Sequence, residues 1–342
     1  MRMRAALFYE HGGPEMLRIE EVEVPQPGPG EVRLRVRAVA LNHLDLWVRR
    51  GLPIDIEMPH IGGSDIAGEV DDVGPVVFGV KPGQRAVVNP SLWCGECEWC
   101  ARGEHSLCVR YRIIGEHVRG GAAEFVVVPA RNVYPISDGV AFERAAAAPL
   151  AFMTAWRALI TQGRLRPGDT VLITGASGGV ATAAVQIARF AGARVLALTS
   201  TPYLDRVRQL GAHVVYDRSD EEWSRSVWRE TGKRGVDVIL DSSGSTIFGP
   251  CVRSLARGGR MIVYGATTGP TGELDLRLLF WKQAHVVGST MANHAEFLKV
   301  MDLVFSGEFD PVVDSVRPLS EIREAHARLE SGEAFGKIVL VP

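Results

Sequence analysis

The sequence predicts an α/β protein, a β-rich first part followed by a doubly wound parallel sheet. Three observations predict it. Short strand-like runs bounded by Pro and Gly fill the chain before residue 150. From about residue 170, apolar strands alternate with helical stretches. A glycine-rich turn joins a strand to a helix within residues 173–193. At 342 residues the chain is long enough for two cores, and 46% of it is hydrophobic.

The elements follow in order. RLRVRAVALN (33–42) alternates charged and apolar residues, as a half-buried strand does. IAGEVDDVG (66–74), RAVVNP (85–90) and AAEFVVVP (122–129) read as further strands. TVLITG (170–175) precedes a helix through about Phe190, and ARVLALTS (193–200) precedes PYLDRVRQLG. HVVYD, a helix near 220–231, VDVILD (236–241), a helix over 246–256 and GRMIVYGA (259–266) continue the alternation. Such alternation implies right-handed βαβ units around a parallel sheet, with ligands at the carboxyl ends of its strands. Helices near 293–306 and 320–331 and a last strand, KIVLVP, close the chain. The expected domains are residues 1–150, 151–288 and a return to the first domain over 289–342.

Composition excludes some functions. The net charge is −2, and no Lys or Arg run offers a nucleic-acid footprint. The longest apolar run, residues 145–153, is too short to span a bilayer, so a cytoplasmic protein acting on a small molecule is expected, with no membrane or nucleic-acid partner. The N-terminus MRMRAALFYEHGG lacks a signal-peptide core.

The turn Ala176-Ser177-Gly178-Gly179-Val180-Ala181 is an A-x-G-x-x-A form of the dinucleotide fingerprint. Its middle glycine admits a pyrophosphate to the backbone, and the helix N-terminus behind it supplies amide donors. The next strand ends in Thr199-Ser200-Thr201 with no acid to hold a ribose 2′-hydroxyl, and Arg206 follows. That pattern predicts NADP(H) over NAD(H). Ser242, Ser243, Gly265 and Ala266 end later strands and should line the same ligand.

Cys94, Cys97, Cys100 and Cys108 are spaced C-x2-C-x2-C-x7-C. Four clustered thiols in a cytoplasmic chain favour a metal over disulfides. A closed tetrahedral Zn²⁺ fits, and an iron–sulfur cluster is the rival. Ferredoxin-type runs have a three-residue last gap followed by Pro, and here the gap is seven and Val109 follows. The expected lobe spans 91–110.

Together the cysteine lobe, PGDTVLITGASGGVA (167–181), GGAAEF (120–125) and FGKIVLVP make the chain resemble the medium-chain dehydrogenase/reductase superfamily over essentially its whole length. The resemblance implies a GroES-like substrate domain, a Rossmann domain and hydride transfer with a nicotinamide cofactor. It implies one structural zinc on the four cysteines, and a homodimer or homotetramer. It also places Thr154, Gly288 and Ser289 near the nicotinamide.

The zinc alcohol dehydrogenases of that superfamily carry a second, catalytic zinc. At its three ligand positions this chain has Asn42, Ser64 and Leu150, and Leu44 stands where a proton-relay hydroxyl would. ALNHLD and GGSDIAG resemble the quinone oxidoreductase-like branch, which lacks that zinc. The expected activity is therefore reduction of an activated double bond or a quinone. Asn42, His43, Asp45 and Asp65 are the candidate catalytic residues, and His117 a candidate substrate contact. A zinc alcohol dehydrogenase using His43, His60 or Asp65, and a cofactor-binding module without turnover, are the rival readings.

Overall fold

The computed structural model describes residues 1–342 and divides into two compact units, Met1–Leu150 with Asn293–Pro342, and Ala151–Ala292. The sequence reading placed the second boundary at 288/289, and the units divide at 292/293.

The first unit is built on a seven-stranded sheet, ordered Val313–Pro318, Lys337–Val341, Glu31–Ala40, Asp65–Val73, Arg85–Val88, Val133–Pro135, with Phe125–Pro129 also on Glu31–Ala40. Val32, Leu34 and Val36 alternate with more exposed Arg33, Arg35 and Arg37, so one face packs the core. The register of this sheet assembles the site. Ala40 pairs with Asp65 on one side and with Val339 on the other, and Leu41 N–H donates to Ile338 O at 2.9 Å. The start of the last strand and the start of Asp65–Val73 therefore meet just beyond Ala40. There Asn42 caps the helix His43–Arg50.

The second unit is a six-stranded parallel sheet ordered Val214–Asp217, Arg194–Thr199, Thr170–Ile173, Val236–Asp241, Leu255–Val263, His285–Gly288. The chain order reverses beside Thr170–Ile173, which marks the switch point where nucleotides bind in such sheets. Helix Gly179–Phe190 buries Ala181, Ala183, Ala184, Val185, Ile187 and Ala188. Its small residues let it lie close to the sheet.

The hairpin Arg2–Leu7/Arg18–Glu23, helix Pro149–Trp156, helix Leu276–Lys282 and the strands His285–Gly288 and Val313–Pro318 lie outside the elements expected from sequence. Strand Leu255–Val263 begins inside the stretch expected as helix 246–256. Leu255 and Ala256 are buried, and their packing overrides the helical continuation. No helix is long and apolar enough to cross a membrane.

Candidate active site and metal centre

The four cysteines come together in the first unit. Their sulfurs all lie within 4.8 Å of one another, and Cys94 Sγ is 3.8 Å from Cys100 Sγ. A tetrahedron of Zn–S bonds near 2.3 Å needs sulfurs about 3.8 Å apart, so the donor set fits Zn²⁺. Backbone amides steady the thiolates: Cys94 N–H donates to Cys108 Sγ at 3.3 Å and Cys97 N–H to Cys94 Sγ at 3.4 Å. Donors from Cys100 and Val109 hold the Cys97 thiol below its ordinary range. With four sulfurs the shell is closed to substrate. No other set of three or more His, Cys, Asp or Glu side chains in the chain is placed to share an ion.

The positions where a catalytic zinc would be ligated are built differently. Asn42 and Asp65 are buried, and Asp65 is fully enclosed. Asp65 Oδ1 accepts from Leu150 N–H at 2.8 Å, and Oδ2 accepts from Asn42 Nδ2 at 3.0 Å and from Lys337 Nζ at 2.8 Å. The Lys337 ammonium also donates to Asn42 Oδ1. Both ends of the Asn42 amide are thus engaged by protein, its oxygen by a cation. Ser64 Oγ, at the second position, is buried and has no hydrogen-bond partner. Gly63 before it needs its φ of 92°, and a Cβ there would sit 2.9 Å from Ala122 N.

Lys337 is one residue that sequence reasoning missed. Its signal was a lone charge opening an otherwise apolar strand, KIVLV, whose residues Lys337 through Leu340 are all buried.

Asp45 supports this arrangement from one turn into the helix. Its Oδ2 accepts from Asn42 N–H at 2.7 Å and its Oδ1 from Gly63 N–H at 2.8 Å. Burial pushes its carboxyl up to about 6, against the lowering pull of the two amides and Lys337. His43 is half-buried, and burial followed by the Lys337 charge lowers its imidazole. Burial, then the Asp45 charge, pushes Glu116 up to about 7. His117 Nδ1 accepts from Ile113 N–H at 3.2 Å. His60 is buried with Nε2 3.1 Å from Gly115 O, so both histidines have structural partners.

In the second unit the expected cofactor residues gather at the strand ends. Gly175 has φ 58°, and a Cβ on it would lie 3.7 Å from Ser242 Oγ and 4.0 Å from Ser243 Oγ, so both hydroxyls flank the turn. Ala176 and Ser177 complete the turn, and Gly178 caps helix Gly179–Phe190. Its first helical bond is Thr182 N–H to Gly178 O at 2.9 Å, which leaves the Gly179, Val180 and Ala181 amides at the N-terminus without helical acceptors. Thr199 Oγ1 and Ser289 Oγ, at two strand ends, are buried with no partner. Orphaned hydroxyls at the carboxyl ends of a parallel sheet are features a bound dinucleotide would satisfy. Gly265 and Ala266 follow Leu255–Val263, and Gly288 ends the last strand. Thr154 Oγ1 lies 3.7 Å from Met291 Sδ.

One acid joins this end of the sheet. Asp217 Oδ2 accepts from Thr201 Oγ1 at 2.5 Å, and Oδ1 accepts from Ser219 N–H and Oγ at 2.9 and 2.7 Å. The Thr201 hydroxyl, then the Ser219 donors, hold it below the ordinary carboxylate range. Thr201 is thereby occupied, while Ser200 caps the short turn Thr201–Tyr203 and Arg206 is exposed on the helix after it.

A GroES-like unit joined to a nucleotide-binding parallel sheet defines a nicotinamide-dependent dehydrogenase or reductase by class. The alcohol dehydrogenase GroES-like domain profile matches residues 28–138, and the zinc-binding dehydrogenase profile matches residues 179–306. An NAD-dependent alcohol dehydrogenase of Sulfolobus acidocaldarius is 32% identical, over 99% of each chain. The human quinone oxidoreductase is 29% identical, over 99% of this chain and 98% of its own. A crystal structure of an NAD-dependent alcohol dehydrogenase superposes with a TM-score of 0.96 at 43% identity, covering 99% of this chain and 100% of that one. The chain belongs to the medium-chain dehydrogenase/reductase superfamily and is an oxidoreductase of it.

Proposed function

We propose that this chain reduces an activated double bond or a quinone with a nicotinamide cofactor, and does so without a catalytic zinc. One observation carries the reading. Where three metal ligands would converge there is an ammonium, Lys337, bonded to Asn42 and Asp65. Serine, leucine and an engaged amide are a poor donor set for Zn²⁺, and a fixed positive charge beside them opposes a dication.

Bound reduced nicotinamide supplies the hydride. The chain's residues hold the cofactor through the amides after Gly178 and the hydroxyls at the strand ends, and must accommodate charge on the substrate oxygen. A Lewis-acid metal contributes several kcal/mol to that charge in a simple carbonyl, and each ~1.4 kcal/mol is tenfold in rate. An enone accepts hydride at its β-carbon and spreads the charge into an enolate, for which hydrogen-bond donors suffice. One proton from water then completes the saturated ketone, and the cofactor leaves oxidised.

The cofactor choice turns on two features. The strand end Thr199-Ser200-Thr201 carries no acid, which supports NADP(H). The Asp217 carboxylate against Thr201 opposes a 2′-phosphate and supports NAD(H). We weigh Asp217 more heavily, because it takes the Thr201 hydroxyl out of use as a donor and adds a like charge at the same strand ends. The chain should use both cofactors and prefer NAD(H). Four unbridged thiols holding Zn²⁺ support a reducing, cytoplasmic setting. The open edge His285–Gly288 with exposed Leu276, Phe280 and Trp281 supports a homodimer or homotetramer.

The test gives the purified protein NADH or NADPH with enones, quinones and simple ketones. Turnover of enones or quinones well above simple ketones is expected. Oxidation of simple alcohols at ordinary dehydrogenase rates, with enones inert, would defeat the reading.

A further inference from the structure

We propose that Glu116 is the general acid of the reaction, its carboxyl group delivering the proton that completes reduction of the carbon–carbon double bond. The inference rests on the reductase reading above and selects an α,β-unsaturated carbonyl within it.

Packing places the residue. Residues 113–118 make a tight turn, with Gly115 N–H donating to Val118 O at 2.8 Å and His60 Nε2 3.1 Å from Gly115 O. A Cβ on Gly115 would lie 2.7 Å from Gly63 C and 2.9 Å from Ser64 N, so the turn rests directly on that backbone. Gly63 N–H in turn donates to Asp45 Oδ1 at 2.8 Å. Glu116 therefore follows a glycine stacked on Ser64, whose buried hydroxyl has no partner. Of the three acids gathered here, Asp45 and Asp65 are buried. Glu116 alone reaches the surface, with its side chain 12% exposed.

Nothing in the protein holds this carboxyl in its charged form. Asp45 accepts two amide donors and Asp65 three donors, whereas Glu116 has only His117 Nδ1 at 3.5 Å. That nitrogen already accepts from Ile113 N–H, so it carries no proton to give. Burial lowers the His43, His60 and His117 imidazoles and keeps them neutral at pH 7. Lys337 is bound to Asp65, and Arg112 donates to His117 O. Burial, then the Asp45 charge, pushes the Glu116 carboxyl up to about 7. An acid works best with a pKa near the working pH.

The step balances. The enone accepts hydride at its β-carbon and becomes an enolate. The enolate α-carbon takes the Glu116 proton, which leaves the saturated ketone, oxidised cofactor and a Glu116 carboxylate. Water then restores the proton. Carbon takes a proton slowly and gains from a placed acid, whereas the oxygens of a reduced quinone exchange with water readily.

The probe is 2-methylcyclohex-2-enone with reduced cofactor, given to the wild type, Glu116→Gln and Glu116→Asp. The readouts are melting temperature, kcat/KM against pH, and product configuration at both new C–H bonds, the β-carbon being read with deuterated cofactor. Wild-type kcat/KM should fall tenfold per pH unit above about 7, because the acid form is the one that acts. Glu116→Gln should melt near the wild type, lose kcat on the order of 100-fold and show no such fall. It should also lose facial selectivity at the α-carbon while keeping it at the β-carbon, which a merely loosened pocket would not do. Glu116→Asp should restore part of the rate and the α-carbon selectivity.

A folded Glu116→Gln with kcat within a few-fold of wild type and α-carbon selectivity intact would overturn the proposal. If that variant does not fold, the wild-type profile decides: a fall through about 7 supports the proposal and a flat profile overturns it. Turnover of quinones alone would overturn it and leave the reductase reading standing. A wild type inert to enones and quinones alike would sink both.

Discussion

Two charged centres in the first unit solve opposite problems. The cysteine lobe gathers four thiols whose thiolate forms would repel one another unless an ion binds them. The centre at Asn42, Asp65 and Lys337 is complete without one, because the chain supplies its own cation. In the first, order depends on something that can be removed. In the second, order depends on a covalently attached charge that only mutation removes. A metal-ligand pattern in sequence therefore shows where an ion holds the fold, and says little about what drives the chemistry.

The comparison can be broken most strongly at the lobe. Cys100→Ser should abolish zinc retention and open residues 95–107 to limited proteolysis, while nucleotide binding in the second unit, read by fluorescence quenching, stays intact. At the other centre, Lys337→Met alone should cost about 3–5 kcal/mol in urea unfolding, since it leaves Asp65 buried without its partner. Restoring neutrality with Asp65→Asn should recover most of that loss.

A smaller effect follows from Asp45. Its carboxyl titrates at about 6 in the fold against an ordinary 3.8, so the folded state takes up the proton first. The stability this contributes is complete below about 3.8 and is lost as pH rises through about 6. Relative to Asp45→Asn, which stays neutral, the wild type should lose on the order of 3 kcal/mol across that window. Unfolding midpoints of both proteins against pH measure the difference, which would be flat if Asp45 were unperturbed.

How much of this was legible beforehand follows the same division. The lobe is local: four cysteines within residues 94–108 announce a site by spacing alone. The glycine turn is local too, and the strand and helix around it were placed within a few residues. Lys337 is remote. Nothing near Asn42 or Asp65 in sequence points to a lysine at the far end of the chain, and only the pairing of Ala40 with both neighbouring strands brings the three together. Asp217 escaped for a related reason: it ends a different strand from the one whose last residues decide cofactor choice, and reaches Thr201 across the sheet.

Asp217 gives the next prediction. Asp217→Asn should lower KM for NADPH relative to NADH by roughly tenfold, by removing one like charge from the 2′-phosphate. An unchanged ratio would remove Asp217 from cofactor choice. The smallest effect belongs to the exposed pair Arg102–Glu98 on the lobe, 3.4 Å apart. Arg102→Ala should change stability by less than about 0.5 kcal/mol and leave zinc content untouched.

The central claim is that this enzyme keeps an ion for its fold and none for its chemistry. Metal analysis of the purified, fully active chain tests it most directly. The account predicts one zinc per chain, lost with Cys100→Ser. Two zincs per chain, with the second retained in that variant and lost with activity on chelation, would contradict it.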